Sequence, residues 1–581
     1  MDIFDILTMI GGLCLFLFGM NLMGESLERR AGNGLRTLLG KLTSRKMLGF
    51  LTGLAVTAVI QSSSATTVMV VGFVNSGLLS LSQAINVIMG ANVGTTVTAW
   101  ILSLGSIDGD SLFVQLLKPT SFTPILALIG IIYYMFIKDD KKKDTGMILL
   151  GFATLMFGMD TMSGAVSGLK DVPEFQQLFI AFQNPILGAL AGAILTAIIQ
   201  SSSASVGILQ ALTATGQITY GAAIPIIMGQ NIGTCITAVL SSVGTTKNAK
   251  RTALVHLSFN IIGTIVWLSV FSIVKAIFAP ALFDMAAESF GIAVAHSIFN
   301  IACTILLLPC SSLLEKLVIK LVPDAKVPEA TTELDERLLT TPSVALERCR
   351  SLTVEMADSA AKGFQDSVTA LNGYTTELAE AIQASEDLTD HYEDILGTYL
   401  VKLSALRISE ADNAEAATLL KAIGDFERIS DHSVNLLESA EELQQKDLQF
   451  SDAAKNELHV LIAAVAEIME LSFTAFRENN LEAALKVEPL EQVIDGLKEQ
   501  MRTRHILRLQ QGNCSIETGF IWSDLLTSLE RVGDHCSNIA GCVIDLSNND
   551  MNTHEALRAF RTANQGFQEQ YHNYAMKYRL S

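Results

Sequence analysis

Residues 61–65 read Gln-Ser-Ser-Ser-Ala, and residues 200–204 read Gln-Ser-Ser-Ser-Ala again. The offset is 139 (200 minus 61), and it holds well beyond the two motifs. LFGMNLM, Leu17 to Met23, falls on MFGMDTM, Met156 to Met162. Leu48-Gly49 falls on Leu187-Gly188, and MGANVGT, Met89 to Thr95, falls on MGQNIGT, Met228 to Thr234. A gap-free internal repeat of this length determines an architecture more firmly than a single motif does.

Around the two motifs the chain is strongly apolar from Ile6 to Leu308; beyond about residue 335 the apolar residues stand at helical spacing among many charges. At 581 residues, 50% hydrophobic and a mean hydropathy of +0.39, the chain is too apolar and too long for one ordinary soluble domain. We read an all-α polytopic membrane protein joined to a soluble helical bundle. The divisions are a first membrane repeat, 1–139; a second, 140–278; one more transmembrane helix, 279–310; a linker, 311–342; and a helical domain, 343–581. The N-terminal apolar run carries Asp2 and Asp5 where a secretory leader has Lys or Arg, so it reads as a retained span. The 8 cysteines show no Cys-x-x-Cys spacing, which points away from zinc and disulfide frameworks and toward a reducing compartment for the soluble half. The net charge of −19, without a basic stripe, points away from nucleic acid.

Each repeat has the same parts. A first apolar run (3–23; 146–164) precedes a short arm ending at Gln-Ser-Ser-Ser (47–60; 186–199). A second arm (65–76; 204–215), a span carrying Gly-x-Asn-x-Gly-Thr (81–104; 219–243) and a further span (119–137; 251–275) follow. A seventh span covers 290–309. A fourteen-residue arm reaches about 21 Å as a helix, short of a bilayer core of ~30 Å. Each pair of arms therefore reads as a re-entrant hairpin with a polar tip lining a protein cavity, the alternative being two short tilted spans. Three spans and a hairpin per repeat is an odd number of crossings, so the halves should be inverted. The basic loop residues agree: Arg29, Arg30, Arg36, Lys41, Arg45, Lys46, Lys138, Lys141 to Lys143, Lys247, Lys250 and Arg251 fall on one side. That places the N-terminus outside and the C-terminal half in the cytoplasm.

Inverted repeats with interrupted helices are the plan of secondary transporters. The hydroxyls of Ser62, Ser63, Ser64, Ser201, Ser202 and Ser203, with the amides of Gln61 and Gln200, can replace water around a phosphate-like oxyanion. A helix starting at each tip adds free N–H groups. In the second signature the glycines permit unwinding. Freed carbonyls, with Asn92, Thr95, Asn231 and Thr234, would then suit a hard cation such as Na+. Interhelical packing is the competing account of such polar clusters. His256 with Asn260, and His296 with Asn300, either support the site or lock neighbouring helices. Asp160, the repeat partner of Asn21, either binds a cation or sits near an interface.

The twin Gln-Ser-Ser-Ser motifs, MGANVGTT, MGQNIGTC and the strings HLSFN and HSIFN resemble the bacterial sodium-dependent phosphate cotransporters related to the type II family. The resemblance covers residues 1–310. It implies sodium-coupled transport of inorganic phosphate, phosphate contacts at Ser62, Ser63, Ser202 and Ser203, and a substrate and sodium shell of Gln61, Gln200, Asn92, Thr95, Asn231 and Thr234. Cys235 stands where the first repeat has Thr96, so the halves need not bind cations equally.

The soluble half carries its own repeat: FERISDHSVN, Phe426 to Asn435, matches LERVGDHCSN, Leu529 to Asn538. Two three-helix units over 343–446 and 447–548 and a last helix near 551–577 are predicted. The duplicated Glu-x-x-x-Asp pattern resembles the PhoU family of phosphate-signalling proteins. It implies divalent-metal clusters at Glu427, Asp431, Glu530 and Asp534, with a salt-bridged face using Arg428 and Arg531 as the alternative; Glu491 and Asp495 form a further acidic pair. The expected partners are inorganic phosphate, sodium and a lipid bilayer, with a homodimer as one option. The competing function is a phosphate-responsive membrane sensor that does not transport. No nucleophile–base pair, nucleotide loop or metal triad in the membrane half supports an enzyme.

Overall fold

The computed structural model describes residues 3–40, 46–106, 119–167, 181–323, 334–406, 408–512, 514–548 and 565–580. They form two compact units, Met1–Val344 and Ala345–Ser581. The described residues are almost entirely helical, with one isolated β-bridge between Thr219 and Ala286.

In the first unit the helices are α1 (Ile3–Gly40), α2 (Lys46–Ile60), α3 (Ser63–Asn75), α4 (Leu81–Ser103), α5 (Pro119–Phe136) and α6 (Asp140–Ser167). They continue with α7 (Pro185–Ile199), α8 (Ser202–Leu212), α9 (Tyr220–Ser241), α10 (Lys247–Phe278), α11 (Ser289–Leu307) and α12 (Ser311–Leu321). Local chemistry explains several starts. Ser80 and Gln83 close a capping box on α4. Asn184 caps α7, whose first residue is Pro185. Among the described residues, α1, α4, α6, α9, α10 and α11 are long and apolar enough to cross a membrane, while α2, α3, α5 and α7 are shorter apolar helices. The outward side chains are apolar: Phe136 is 76% exposed and Ile198 75%. Exposed apolar surface of this extent suits lipid rather than water.

Glycines set the helix packing. An added Cβ at Gly12 would sit 3.0 Å from the Gly158 carbonyl oxygen, and one at Gly19 would sit 2.6 Å from that of Gly151. Low numbers on α1 thus meet high numbers on α6, so the two helices run antiparallel.

The Gly-x-Asn-x-Gly-Thr segments correct an expectation. They do not unwind: α4 and α9 are continuous helices through Gly90–Thr95 and Gly229–Thr234. Their glycines serve contact instead. A Cβ on Gly90 would collide with the Phe50 carbonyl oxygen of α2, and one on Gly229 with that of Ala189 in α7. Small residues let backbones approach in the manner of Gly-x-x-x-Gly pairs. The stretch 311–342, read as a linker, also holds packed structure: α12, and a short 3-10 helix, Glu336–Thr340.

The second unit comprises α13 (Pro342–Asn372), α14 (Thr376–Ser404), α15 (Glu410–Gln445), α16 (Asp452–Glu478), α17 (Leu481–Gln510), α18 (Ile516–Asn548) and α19 (Gln565–Lys577). These are two three-helix sets followed by a last helix. Phe426 of α15 meets Phe473 and Phe476 of α16 edge-on, each at 5.2 Å between ring centroids, which joins the two sets. Helix α16 is apolar enough to span a membrane, but it packs on α17 and α18 and buries Leu461, Ile468 and Phe473 there.

Candidate functional site

Each Gln-Ser-Ser-Ser segment is the bend of a helical hairpin. Gln61 follows α2 and Gln200 follows α7, with φ of 59° and 58°. Both are left-handed, a conformation that costs a side-chain-bearing residue of order 1–3 kcal/mol and gathers at functional sites. The next residues, Ser62 and Ser201, are extended and cap the second arms, accepting from the Ala65 and Ala204 amides at 3.2 Å in each case. The amides of Ser63 and Ser64, and of Ser202 and Ser203, head α3 and α8, where a helix leaves its N–H groups without intrahelical partners. Across each bend a hydroxyl pair ties arm to arm: Thr57 donates to Thr66 at 3.1 Å, and Thr196 to Ser205 at 2.8 Å. These pairs are related by the same offset of 139.

The two tips meet at one cavity of about 430 Å³. Its lining includes Gln61 to Ser64 from one tip and Gln200 to Ser203 from the other, with Asn21, Glu25 and Glu28 of α1 and Thr340. No Lys or Arg is among the described lining residues; behind the wall, Arg29 pairs with Asp144 at 2.9 Å and with the lining residue Glu25 at 4.0 Å. The cavity therefore offers neutral donors at two helix N-termini, which suit an anion, and carboxylates, which suit an accompanying cation.

All six motif serines and both glutamines line this space. Asn92, Thr95, Asn231 and Thr234 do not; they lie behind it in α4 and α9. Each side chain donates back to its own helix, Asn92 to Ile88, Thr95 to Ala91, Asn231 to Ile227 and Thr234 to Gln230. Asn92 also joins a buried cluster: its Oδ1 lies 3.3 Å from His256 Nε2 and 3.5 Å from Asn260 Nδ2, which itself lies 3.3 Å from Cys235 Sγ. Cys235 thus fills a structural place between α9 and α10. His296 and Asn300 stack along α11, where Asn300 donates to the His296 carbonyl at 3.0 Å. Asp160 is exposed and off the cavity, whereas its repeat partner Asn21 lines it.

The halves differ at their tips. Gln61 is buried and accepts from Thr98 at 3.0 Å. Gln200 is exposed, and the matching Thr237 hydroxyl is buried with no partner among the described residues. Sequence reading missed Thr98, although a hydroxyl recurs three residues after the signature in both repeats. It also missed Glu25 and Glu28, which follow Asn21 at i+4 and i+7 on one face of α1. For Thr340, far along the chain, no sequence signal existed.

In the second unit the four acidic residues of the duplicated pattern stand in different surroundings. Among the described residues, Glu491, Asp495 and Asp534 bring carboxylate oxygens within 4.8 Å of one another. Glu427, Asp431 and Glu530 fall outside that group. Lys498 neutralises Glu530 at 2.9 Å, and Arg428 and Arg531 bridge to Asp431 and Asp534 at 3.0 and 3.2 Å. Burial, then the neighbouring Asp431 charge, pushes Glu427 up to about 7.

Comparison with known proteins matches residues 15–164 and 173–295 to the Na+/Pi-cotransporter model, and residues 353–440 and 458–543 to the PhoU domain. YqeW of Bacillus subtilis is 30% identical over 313 residues, covering 53% of this chain and 95% of that protein. The chain belongs to the Na+/Pi-cotransporter family. Its membrane half carries the family's domain and its C-terminal half a PhoU domain. YjbB of Escherichia coli (strain K12), named for inorganic phosphate export, is 24% identical over 556 residues, covering 94% of this chain and 98% of its own. The human sodium-dependent phosphate transport protein 2B is 23% identical over 402 residues, 45% of this chain and 58% of its own. A solved PhoU from Pseudomonas aeruginosa covers 35% of this chain and 97% of its own at 24% identity and a TM-score of 0.34.

Proposed function

We propose that this protein carries inorganic phosphate across the cytoplasmic membrane, coupled to sodium, by alternating access of two inverted halves, with the PhoU domain as a cytoplasmic regulator. The observation that carries the reading is the shared cavity: two tips, one from each repeat, present serine hydroxyls and helix-start amides to the same space. The antiparallel Gly12–Gly158 and Gly19–Gly151 contacts support inversion, because each contact is the repeat image of the other.

Ser62, Ser63, Ser64, Ser201, Ser202 and Ser203 hold the phosphate oxygens. Neutral donors keep the anion releasable, as a carrier requires. They do not cancel its charge, so a cation must enter with the anion to offset the cost of a desolvated charge. Sodium fills that role. Because α4 and α9 keep their helical hydrogen bonds, its ligands are side-chain oxygens and tip carbonyls, with Gln61 and Gln200 foremost. Asn92, Thr95, Asn231, Thr234, His256, Asn260, His296 and Asn300 support the tips from behind. The N-terminus lies outside and the PhoU domain in the cytoplasm in this reading, which the positive-inside count of the loops supports.

One relative that matches nearly the whole chain is named for phosphate export, and another that matches 45% of it is named for sodium-dependent phosphate transport; both names fit phosphate as the cargo, and the direction of net flux is read from the test below. The test is radiolabelled phosphate flux in proteoliposomes of the purified protein, with sodium inside, outside or absent. Flux that follows the sodium gradient is expected. Phosphate binding without flux under every gradient would support the sensor reading and overturn this one.

A further inference from the structure

Between the last membrane helices and the PhoU domain, residues Asp335 to Thr341 lie against the membrane unit. Asp335, 2% exposed, accepts from Asn75 Nδ2 at 2.7 Å. Asn75 Oδ1 accepts the Thr246 amide at 2.8 Å. Asn75 closes α3, the arm whose other end is the first anion tip; Thr246 caps α10. Arg337 donates from Nε to the Ser241 carbonyl at 2.6 Å and from Nη2 to that of Val243 at 3.2 Å, at the C-terminal end of α9. A cation there is favoured by the helix dipole. Leu338 is fully buried and packs over Gly72 of α3, where an added Cβ would lie 3.1 Å from Leu338 Cδ2. Two residues on, Thr340 enters the lining of the anion cavity.

This segment therefore grips α3 of the first repeat and the α9–α10 corner of the second at once, and it brings Thr340, whose hydroxyl donates to the Arg337 carbonyl at 2.7 Å, to the cavity wall. Alternating access requires the two repeats to move against one another. A strap fastened to both opposes that motion. It continues without a break into Pro342, the first residue of α13. Ordinary packing of a connecting segment would account for the burial of Leu338. Asp335 and Arg337 also pair with each other at 3.0 Å, and Asp335 caps the short helix; ordinary packing does not account for that ion pair reaching Asn75 of one repeat and the Ser241 and Val243 carbonyls of the other.

We propose that Asp335–Thr341 is a gating strap: docked, it ties the two repeats and closes one side of the cavity with Thr340; released, it admits phosphate. The proposal rests on the transport reading above for its flux readout, so a second readout independent of phosphate accompanies it.

In a Cys14→Ser, Cys310→Ser, Cys514→Ser background, Gly72→Cys with Leu338→Cys sets two thiols at the docked contact. Oxidation, verified by gel shift, is expected to lower phosphate flux in proteoliposomes about tenfold, with recovery on reduction, as a tie favouring one of two states would. Separately, Glu28→Cys in the same background reports access to the cavity through its labelling rate with a membrane-impermeant maleimide. Adding Arg337→Ala removes the hydrogen bonds to the Ser241 and Val243 carbonyls and the ion pair with Asp335, and is expected to speed labelling about tenfold or more. Measurable but equal flux in the oxidised and reduced states, or equal labelling with and without Arg337→Ala, overturns the strap. Absent flux in every variant together with faster labelling would overturn the transport reading and leave the strap standing.

Discussion

Gln61 and Gln200 stand 139 positions apart, yet they share one left-handed backbone conformation at the tips of two hairpins, and among the described residues a threonine clamp, Thr98, holds Gln61 alone. The pseudo-symmetric bend is thus held by an asymmetric support.

Thr98→Val removes the donor to Gln61 Oε1 inside a buried setting. An unsatisfied buried acceptor costs about 1–3 kcal/mol, so apparent affinity for sodium or phosphate should fall roughly five- to a hundredfold. Thr237→Val, at the matching place in the second repeat, removes a hydroxyl without a described partner and should leave affinity nearly unchanged. Flux measured over substrate and sodium concentration series compares the two, and equal losses would contradict the asymmetry.

Ser63→Ala and Ser202→Ala each delete one hydroxyl from the tips while leaving the helix-start amides in place. Each should weaken apparent phosphate affinity by about 1 kcal/mol, or roughly fivefold, with the protein still folded. Unaltered affinity in both variants would move the anion site elsewhere.

Gly90→Ala and Gly229→Ala place a methyl against a carbonyl of the neighbouring arm. Overpacking of this kind costs about 1–3 kcal/mol and should lower the thermal midpoint in detergent. Gly164→Ala is the control, because an added Cβ there meets nothing within 4 Å; its midpoint should hold or rise.

Glu427 titrates near 7 in the folded PhoU domain, against an ordinary value of 4.5, chiefly through burial and then the Asp431 charge, with Glu393 adding to it and Arg428 opposing. A carboxyl raised on folding binds more protons in the native than in the unfolded state across that window. Stability from this group is therefore intact below about 4.5 and declines as pH rises toward and through 7. Glu427→Gln should flatten that decline and stabilise the domain at pH 8, read from thermal unfolding followed between pH 5 and 8. An identical pH profile in wild type and variant would remove Glu427 as its source.

Several features were readable from residue order alone, because they are local or periodic. Chain-length apolar runs dictate helices that avoid water; the offset of 139 relates Gln61 to Gln200, Gly12 to Gly151 and Thr57 to Thr196; the later offset of 103 (529 minus 426) relates Phe426 to Leu529 and outlines the three-helix sets. A polar serine run after an apolar arm dictates a bend, since a free N-terminus needs capping and Ser62 and Ser201 supply it.

What depended on distance in the chain was decided only by the tertiary structure. The glycines of MGANVGT look the same in sequence whether they loosen a helix or admit a neighbour. The approach of α2 and α7 made them contact points, and that kept Asn92 and Asn231 inside continuous helices. The acidic quartet shared a spacing, but each spacing describes one helix face, and which face meets which depends on packing. Hence Asp534 joined Glu491 and Asp495 while Lys498 took Glu530. Thr340 reached the shared cavity from a distant part of the chain by the same logic: the hydrogen bond from Asn75 to Asp335, 260 positions apart, answers to three-dimensional proximity, which residue order encodes only through the whole fold.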